Sequence, residues 1–162
     1  MSLYFDDLVV GAVYEAGPIT MERDGIIAFA RAFDPQPMHV DEAAAEAGPL
    51  GGLIASGWHT AAVTMRMLVD GALPSLAEGA VGAGIEGMTW PVPVRPGDVL
   101  RARSEIIELR ASRSRPDRGL MKLRTTTRRA DGVVVQIITA VIMVPRKVTP
   151  LPVEQSSTKR SC

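Results

Sequence analysis

A chain of 162 residues with 18 basic and 18 acidic side chains, 46% hydrophobic and 22% charged, suits one globular domain and excludes a disordered or collagen-like polymer. The single cysteine, Cys162, excludes an intrachain disulfide and a thiolate metal cluster. The zero net charge hides a segregation: residues 1–94 carry 3 basic and 12 acidic groups, residues 95–129 carry 11 and 4.

Val9 to Tyr14 reads as a short strand that leads into a turn at Gly17-Pro18. Thr20 is placed to cap a helix over Met21 to about Phe33, where Ile26, Ile27, Phe29, Ala30 and Phe33 recur at helical spacing. Glu22 and Asp24 fall in its first turn, where carboxylates suit the helix dipole. The helix must stop near Asp34, because Pro35 and Pro37 lack amide donors and push the residues before them out of helical angles. Asp34 to His39 is therefore expected as a stiff, extended loop.

A short helix over Asp41 to Ala47 follows, with Asp41 as its cap, and turns at Gly48-Pro49 and Gly51-Gly52 close it. Leu53 to Val69 is the longest helical candidate. Its apolar residues crowd more than one face, which predicts burial nearly all round.

Beyond Gly71 the period changes to two. Leu100 to Ile106 and Met121 to Arg124 alternate apolar with polar residues, as half-exposed strands do. Ser112 to Gly119 reads as a hairpin tip and Asp131-Gly132 as a tight turn. Val133 to Val144 lacks strict alternation and predicts a central strand covered on both faces; Ala80 to Met88 supplies a further strand. Residues 1–148 thus read as one domain, with 149–162 as an unpacked tail. The order predicts an α+β domain, an antiparallel sheet wrapped around a long central helix.

Gln136 and Thr139 interrupt the most apolar run, which is also far shorter than the roughly 20 residues of a spanning helix. The N-terminus has no basic stretch followed by an apolar one, so a cytoplasmic protein with no membrane partner is expected. No helix-turn-helix is evident, and no nucleic-acid partner is expected. Two histidines and one cysteine supply no metal set, and no glycine-rich dinucleotide or phosphate loop occurs.

The chemistry concentrates in Asp34-Pro35-Gln36-Pro37-Met38-His39. A carboxylate and an imidazole that share one water can exchange protons with it near neutral pH, which favours adding or removing water. The same residues also have a plainer reading, since an aspartate can simply end a helix and a histidine can simply satisfy a loop. His59, on the apolar helix, reads as a hydrogen-bonded packing residue and not as a second base.

This stretch, with Asp41, Gly51-Gly52 and Ile54-Ala55-Ser56-Gly57 behind it, resembles the MaoC-like dehydratases, which include the (R)-specific enoyl-CoA hydratases of the hotdog fold. Their signature reads Asp-x-Asn-Pro-x-His; here Gln36 stands in place of the asparagine. Trp90-Pro91-Val92-Pro93-Val94-Arg95-Pro96-Gly97-Asp98 and the hairpin Ser112 to Gly119 are similar to later parts of the family, so the resemblance spans most of residues 8–145.

The resemblance implies a single hotdog domain in which Asp34 and His39 hold one water. That water adds hydroxyl to C3 and a proton to C2 of a trans-2-enoyl thioester, and the reverse reaction dehydrates the (R)-3-hydroxyacyl thioester. It makes the Gly57 amide the expected oxyanion donor, with Gly52 second; Trp58 is expected either to line the acyl pocket, where it would limit the chain, or simply to fill the core beside the central helix. Arg95, Arg113 and Arg115 are expected on the coenzyme A phosphates, since guanidinium groups bind phosphate through paired hydrogen bonds. No cofactor is expected beyond coenzyme A as part of the substrate, and the partner is a second copy in a homodimer or higher oligomer. A hotdog acyl-CoA thioesterase and a non-catalytic acyl-CoA-binding module are the alternatives.

Overall fold

The computed structural model describes residues 2–147, so the expected tail and Cys162 lie outside the described residues. Five strands form one antiparallel sheet in the order β1-β3-β4-β5-β2: β1 Val13–Thr20, β2 Val81–Thr89, β3 Val99–Ala111, β4 Arg118–Arg129 and β5 Val134–Pro145. Four α-helices precede β2 among the described residues: α1 Arg23–Phe33, α2 Pro37–Val40, α3 Glu42–Ala47 and α4 Gly57–Met67. This is the α+β arrangement that the change of period predicts. Among the described residues, no helix is long and apolar enough to cross a membrane.

The two-residue period of β3 and β4 decides which face is covered. Leu100, Ala102, Ser104 and Ile106 on β3, with Met121, Leu123, Thr125 and Thr127 on β4, are buried on the face that the helical segments cover. Arg101, Arg103, Arg124 and Arg128 point the other way, into solvent. Met21, Ile26, Leu53, Met67 and Val94 close the core between sheet and helices.

Several boundaries differ from the sequence expectation. β1 runs through Gly17-Pro18 with a register shift between Ala16 and Ile19, where a turn was expected. An edge strand tolerates a proline because its outward side needs no amide donor, and Gly17 at φ 107° supplies the irregularity. The first helix has Glu22, not Thr20, at its N-cap position, and no side chain there bonds its free amides. Pro37 starts the one-turn helix α2 instead of prolonging an extended loop, because its fixed φ and missing N–H both suit the first helical position.

The central helix is shorter than expected. It begins at Gly57 and has 11 residues, with a π-type turn over Leu68–Ala72 behind it; Leu53 to Ser56 are extended and buried. Nor is it buried all round: Trp58 is 59% exposed, Met65 54% and Val69, just beyond its end, 71%. One flank of α4 meets the sheet and the other stays open on the side of the edge strand β2. β5 is interior as expected, paired with β4 and β2, yet its outer residues Thr139 and Val141 are only half-buried.

Candidate active site

Asp34 is the residue after α1, and its amide donates to the Ala30 carbonyl at 2.8 Å while Pro35 stops the helix. Five residues on, His39 lies within α2. Its Nδ1 lies 2.8 Å from the carbonyl oxygen of Ile54, which can only accept, so Nδ1 carries the proton. Nε2 then faces Asp34 Oδ2 at 3.5 Å. The His39 side chain is 5% exposed and that of Asp34 18%, so the pair sits at the edge of the interior.

Both carboxylate oxygens of Asp34 have donors. Ser56 Oγ donates to Oδ2 at 2.6 Å and Gln36 Nε2 donates to Oδ1 at 2.8 Å. These bonds, the one from Ser56 foremost, hold the Asp34 carboxyl below the usual carboxylate range against the opposing effect of burial. With a proton committed to Ile54 at Nδ1, His39 turns Nε2 toward the ionised Asp34 across a gap too wide for a direct bond. Such a pair suits a molecule that donates two protons, as water does.

Ser56 is also the N-cap of α4, its Oγ accepting from the Trp58 amide at 3.2 Å. At Gly57 an added Cβ would come within 2.8 Å of the Trp90 ring, so the glycine is required by that close approach. Trp90 is fixed from its other side, Nε1 donating to Gln136 Oε1 at 2.8 Å, and Trp58 packs edge-on against it with ring centroids 5.6 Å apart.

The structure brings Asp34, His39 and Gly57 together; the other expected residues divide. Gly52, at φ 122°, lies beside the guanidinium of Arg95, which donates to the carbonyls of Leu50 and Gly51. Arg95 thus ties down the loop next to the site. Arg113 and Arg115 sit at the β3–β4 hairpin, at the opposite end of the sheet. From Thr127, level with Gln136, β4 runs roughly 27 Å back to Gly119. Arg115 lies 3.8 Å from Asp117, its nearest countercharge.

His59 packs as expected, its ring stacked on Phe29 at 4.7 Å, but the hydrogen bond expected of it is not made at Nδ1, which is buried without a partner among the described residues because the stacked ring offers no acceptor. Burial pushes its pKa below the usual histidine value. An open apolar cleft of about 610 Å³ lies between α4 and strands β2 and β5, lined by Met65, Leu68, Val81, Ile85 and Ile138 among others.

A family model described as "MaoC like domain" matches residues 7–127. The chain belongs to the MaoC-like family. It is 46% identical to a MaoC-like dehydratase from Rhodospirillum rubrum, whose crystal structure matches with a TM-score of 0.85 over 91% of this chain and 100% of that one. It is 32% identical over 146 residues to a 3-hydroxybutyryl-CoA dehydratase from Methylorubrum extorquens, covering 90% of this chain and 86% of that protein. The uncharacterized protein YdeM from Bacillus subtilis is 35% identical over 115 residues, 67% of this chain and 77% of that protein. The unliganded R-hydratase PhaJ1 from Pseudomonas aeruginosa shares the hotdog fold, with a TM-score of 0.70 at 23% identity over 93% of this chain and 94% of that one.

Within this MaoC-like domain, sequence reasoning missed Ser56 as a partner of Asp34. A serine directly before the glycine that opens a helix is an N-cap signal, so its place was readable; its reach across 22 residues to Asp34 was not. Gln136 drew notice only as a break in an apolar run, yet it is fully buried and holds Trp90 against Gly57.

Proposed function

We propose that this MaoC-like domain catalyses reversible hydration of a trans-2-enoyl-CoA to an (R)-3-hydroxyacyl-CoA. The observation that carries the reading is the fixed tautomer of His39, whose Nδ1–H is committed to Ile54 so that Nε2 opposes Asp34 Oδ2. A water donating to both groups keeps its lone pairs free for C3 of the enoyl chain. As its oxygen bonds to C3, one proton passes to the imidazole or the carboxylate, and the dyad returns a proton to C2. Water is consumed, both groups regain their starting states, and no electrons change hands.

Negative charge builds on the thioester oxygen as C3 is attacked. The Gly57 amide, at the first position of α4, is one of the donors a helix leaves unpaired and is suited to that oxygen. A donor so placed lowers the barrier by about 3 kcal/mol. Gly52 is the second choice. The apolar cleft beside α4 suits the acyl chain, its wall at Ile138 standing two residues along β5 from Gln136.

The partner in this reading is a second copy. β2 is an edge strand without proline, exposed along its length except at Met88, and its Val81 and Ile85 lie open with Met65 of α4 beside them. Such an edge pairs readily with another strand, and β2 against β2 satisfies a two-fold axis. Antiparallel pairing there sets the hairpin end of one copy beside the dyad end of the other. The arginine-rich hairpin would then face the acidic segment holding Asp34, Asp41, Glu42 and Glu46, which is how Arg113 and Arg115 would reach coenzyme A phosphates from across the interface.

Incubation with crotonyl-CoA and with saturated butyryl-CoA separates the possible activities. Loss of the conjugated chromophore without release of thiol is expected; thiol from butyryl-CoA would instead indicate a thioesterase, and no change in either would indicate a binding module. Sedimentation is expected to give a dimer or larger, and a monomer would remove the composite site.

A further inference from the structure

We infer that Ser56 is a positioning residue of this site: its hydroxyl fixes the face that Asp34 turns to His39 and ties that orientation to the first turn of α4. The inference rests on the proposed hydration chemistry and adds to it a group outside the dyad.

The hydroxyl has a single proton, and the surrounding bonds settle where it points. Ser56 is 1% exposed, so water does not compete for it. Its Oγ accepts from the Trp58 amide, which leaves the O–H directed at Asp34 Oδ2, and 2.6 Å is the length of a bond from a hydroxyl to an ionised acceptor. The oxygen held in this way is also the one that opposes His39 Nε2. Gln36 holds the other oxygen from an exposed position, where solvent can replace it.

Ser56 belongs to a four-residue segment that touches every part of the proposed machinery. Ile54 accepts from His39 through its carbonyl, Ser56 donates to Asp34, and Gly57 supplies the amide assigned to the thioester oxygen. The segment is itself anchored, the Ile54 amide donating to the Met38 carbonyl at 3.2 Å and the Ala55 amide to the Val94 carbonyl at 2.8 Å. Acid, base and oxyanion donor are thereby registered to one rigid piece of backbone, with Ser56 as its link to the carboxylate.

The groups acting on Asp34 are Ser56 from the start of α4, Gln36 from its own loop and His39 from α2, and His39 alone among them is titratable. Removing the Ser56 donor takes away the largest of the effects that lower the Asp34 pKa, so that pKa rises even though Gln36 still holds the other oxygen. Activity that requires the carboxylate is lost as pH falls through that pKa, so the loss then begins at higher pH.

The test is Ser56→Gly, because glycine caps a helix almost as well as serine yet has no hydroxyl. With crotonyl-CoA, kcat is expected to fall about tenfold or more, the loss expected for a hydrogen bond to a charged group. KM should stay within about twofold, since substrate binding does not use this bond. The acidic limb of the kcat profile should move to higher pH, and the carbon-13 carboxyl titration of Asp34 followed by NMR should move the same way. A variant with the wild-type kcat, acidic limb and titration would overturn the role. If the wild-type protein leaves crotonyl-CoA unchanged, the hydratase reading fails, while the NMR titration still decides whether Ser56 governs Asp34.

Discussion

The two ends of the sheet hold their charged groups in opposite ways. At one end Asp34 and His39 are held by bonds of 2.6 to 2.8 Å with neutral partners, a half-buried serine bond, an exposed glutamine bond and a buried backbone carbonyl. At the other, the exposed Arg115 stands 3.8 Å from Asp117, its only ion-pair partner among the described residues. The hairpin has more charge and less constraint. Exposed ion pairs of this kind contribute about 0–1 kcal/mol and leave their side chains free to change partners. The dyad, with one carboxylate and one imidazole, is where geometry is fixed, and fixed geometry is what proton transfer requires.

The strongest attack on this contrast is to remove either member of the dyad. Asp34→Asn and His39→Ala are each expected to lower crotonyl-CoA hydration by at least about 100-fold, with circular dichroism unchanged. Near-normal turnover in either would abolish the distinction between the two ends. Asp34→Asn also removes the group whose lowered pKa favours the folded state at neutral pH. Wild-type stability owed to that carboxylate is present above its unfolded pKa and is lost as pH falls through the lower folded value, so an acid titration of melting temperature should flatten in the variant.

A smaller effect is expected from Gly57→Ala. The new methyl would meet the Trp90 ring at 2.8 Å, and Trp90 is held by Gln136, so ring or helix must shift. Overpacking of this kind costs about 1–3 kcal/mol in urea denaturation, and kcat should fall with it as the amide moves. Unchanged stability would mean that Trp90 yields more easily than its hydrogen bond suggests.

The smallest effect belongs to the hairpin. Arg113→Ala and Arg115→Ala should leave stability within about 0.5 kcal/mol, as surface changes do. They should raise KM for the coenzyme A ester several-fold without changing kcat. If KM does not move, the hairpin is a solvated tip and takes no part in the site of either copy.

Much of this was legible in the residues because it depends on neighbours in the chain. The alternation of Leu100-Arg101-Ala102-Arg103 sets which side chains β3 buries, and Asp41 caps α3 by accepting from the Ala44 amide at 3.0 Å. The prolines fix Asp34 at a helix end with His39 one short step beyond. Where the local signal is ambiguous, the sequence does not decide: Pro37 can stop a helix or start one, and in the structure it starts α2, which carries His39 to the carbonyl of Ile54.

What the sequence determined by itself, then, is the strand pattern, the capping of α3 and the presence of an acid and an imidazole on one proline-bounded stretch, all governed by backbone sterics and side-chain period within a few residues. The tertiary structure alone decided that Ser56 reaches Asp34, that Trp90 closes over Gly57, and that the hairpin arginines stand at the far end from the dyad. Those contacts join residues 22 or more positions apart, or follow from the length of a strand, and a chain acquires them only when burial of the shared core folds its distant segments together.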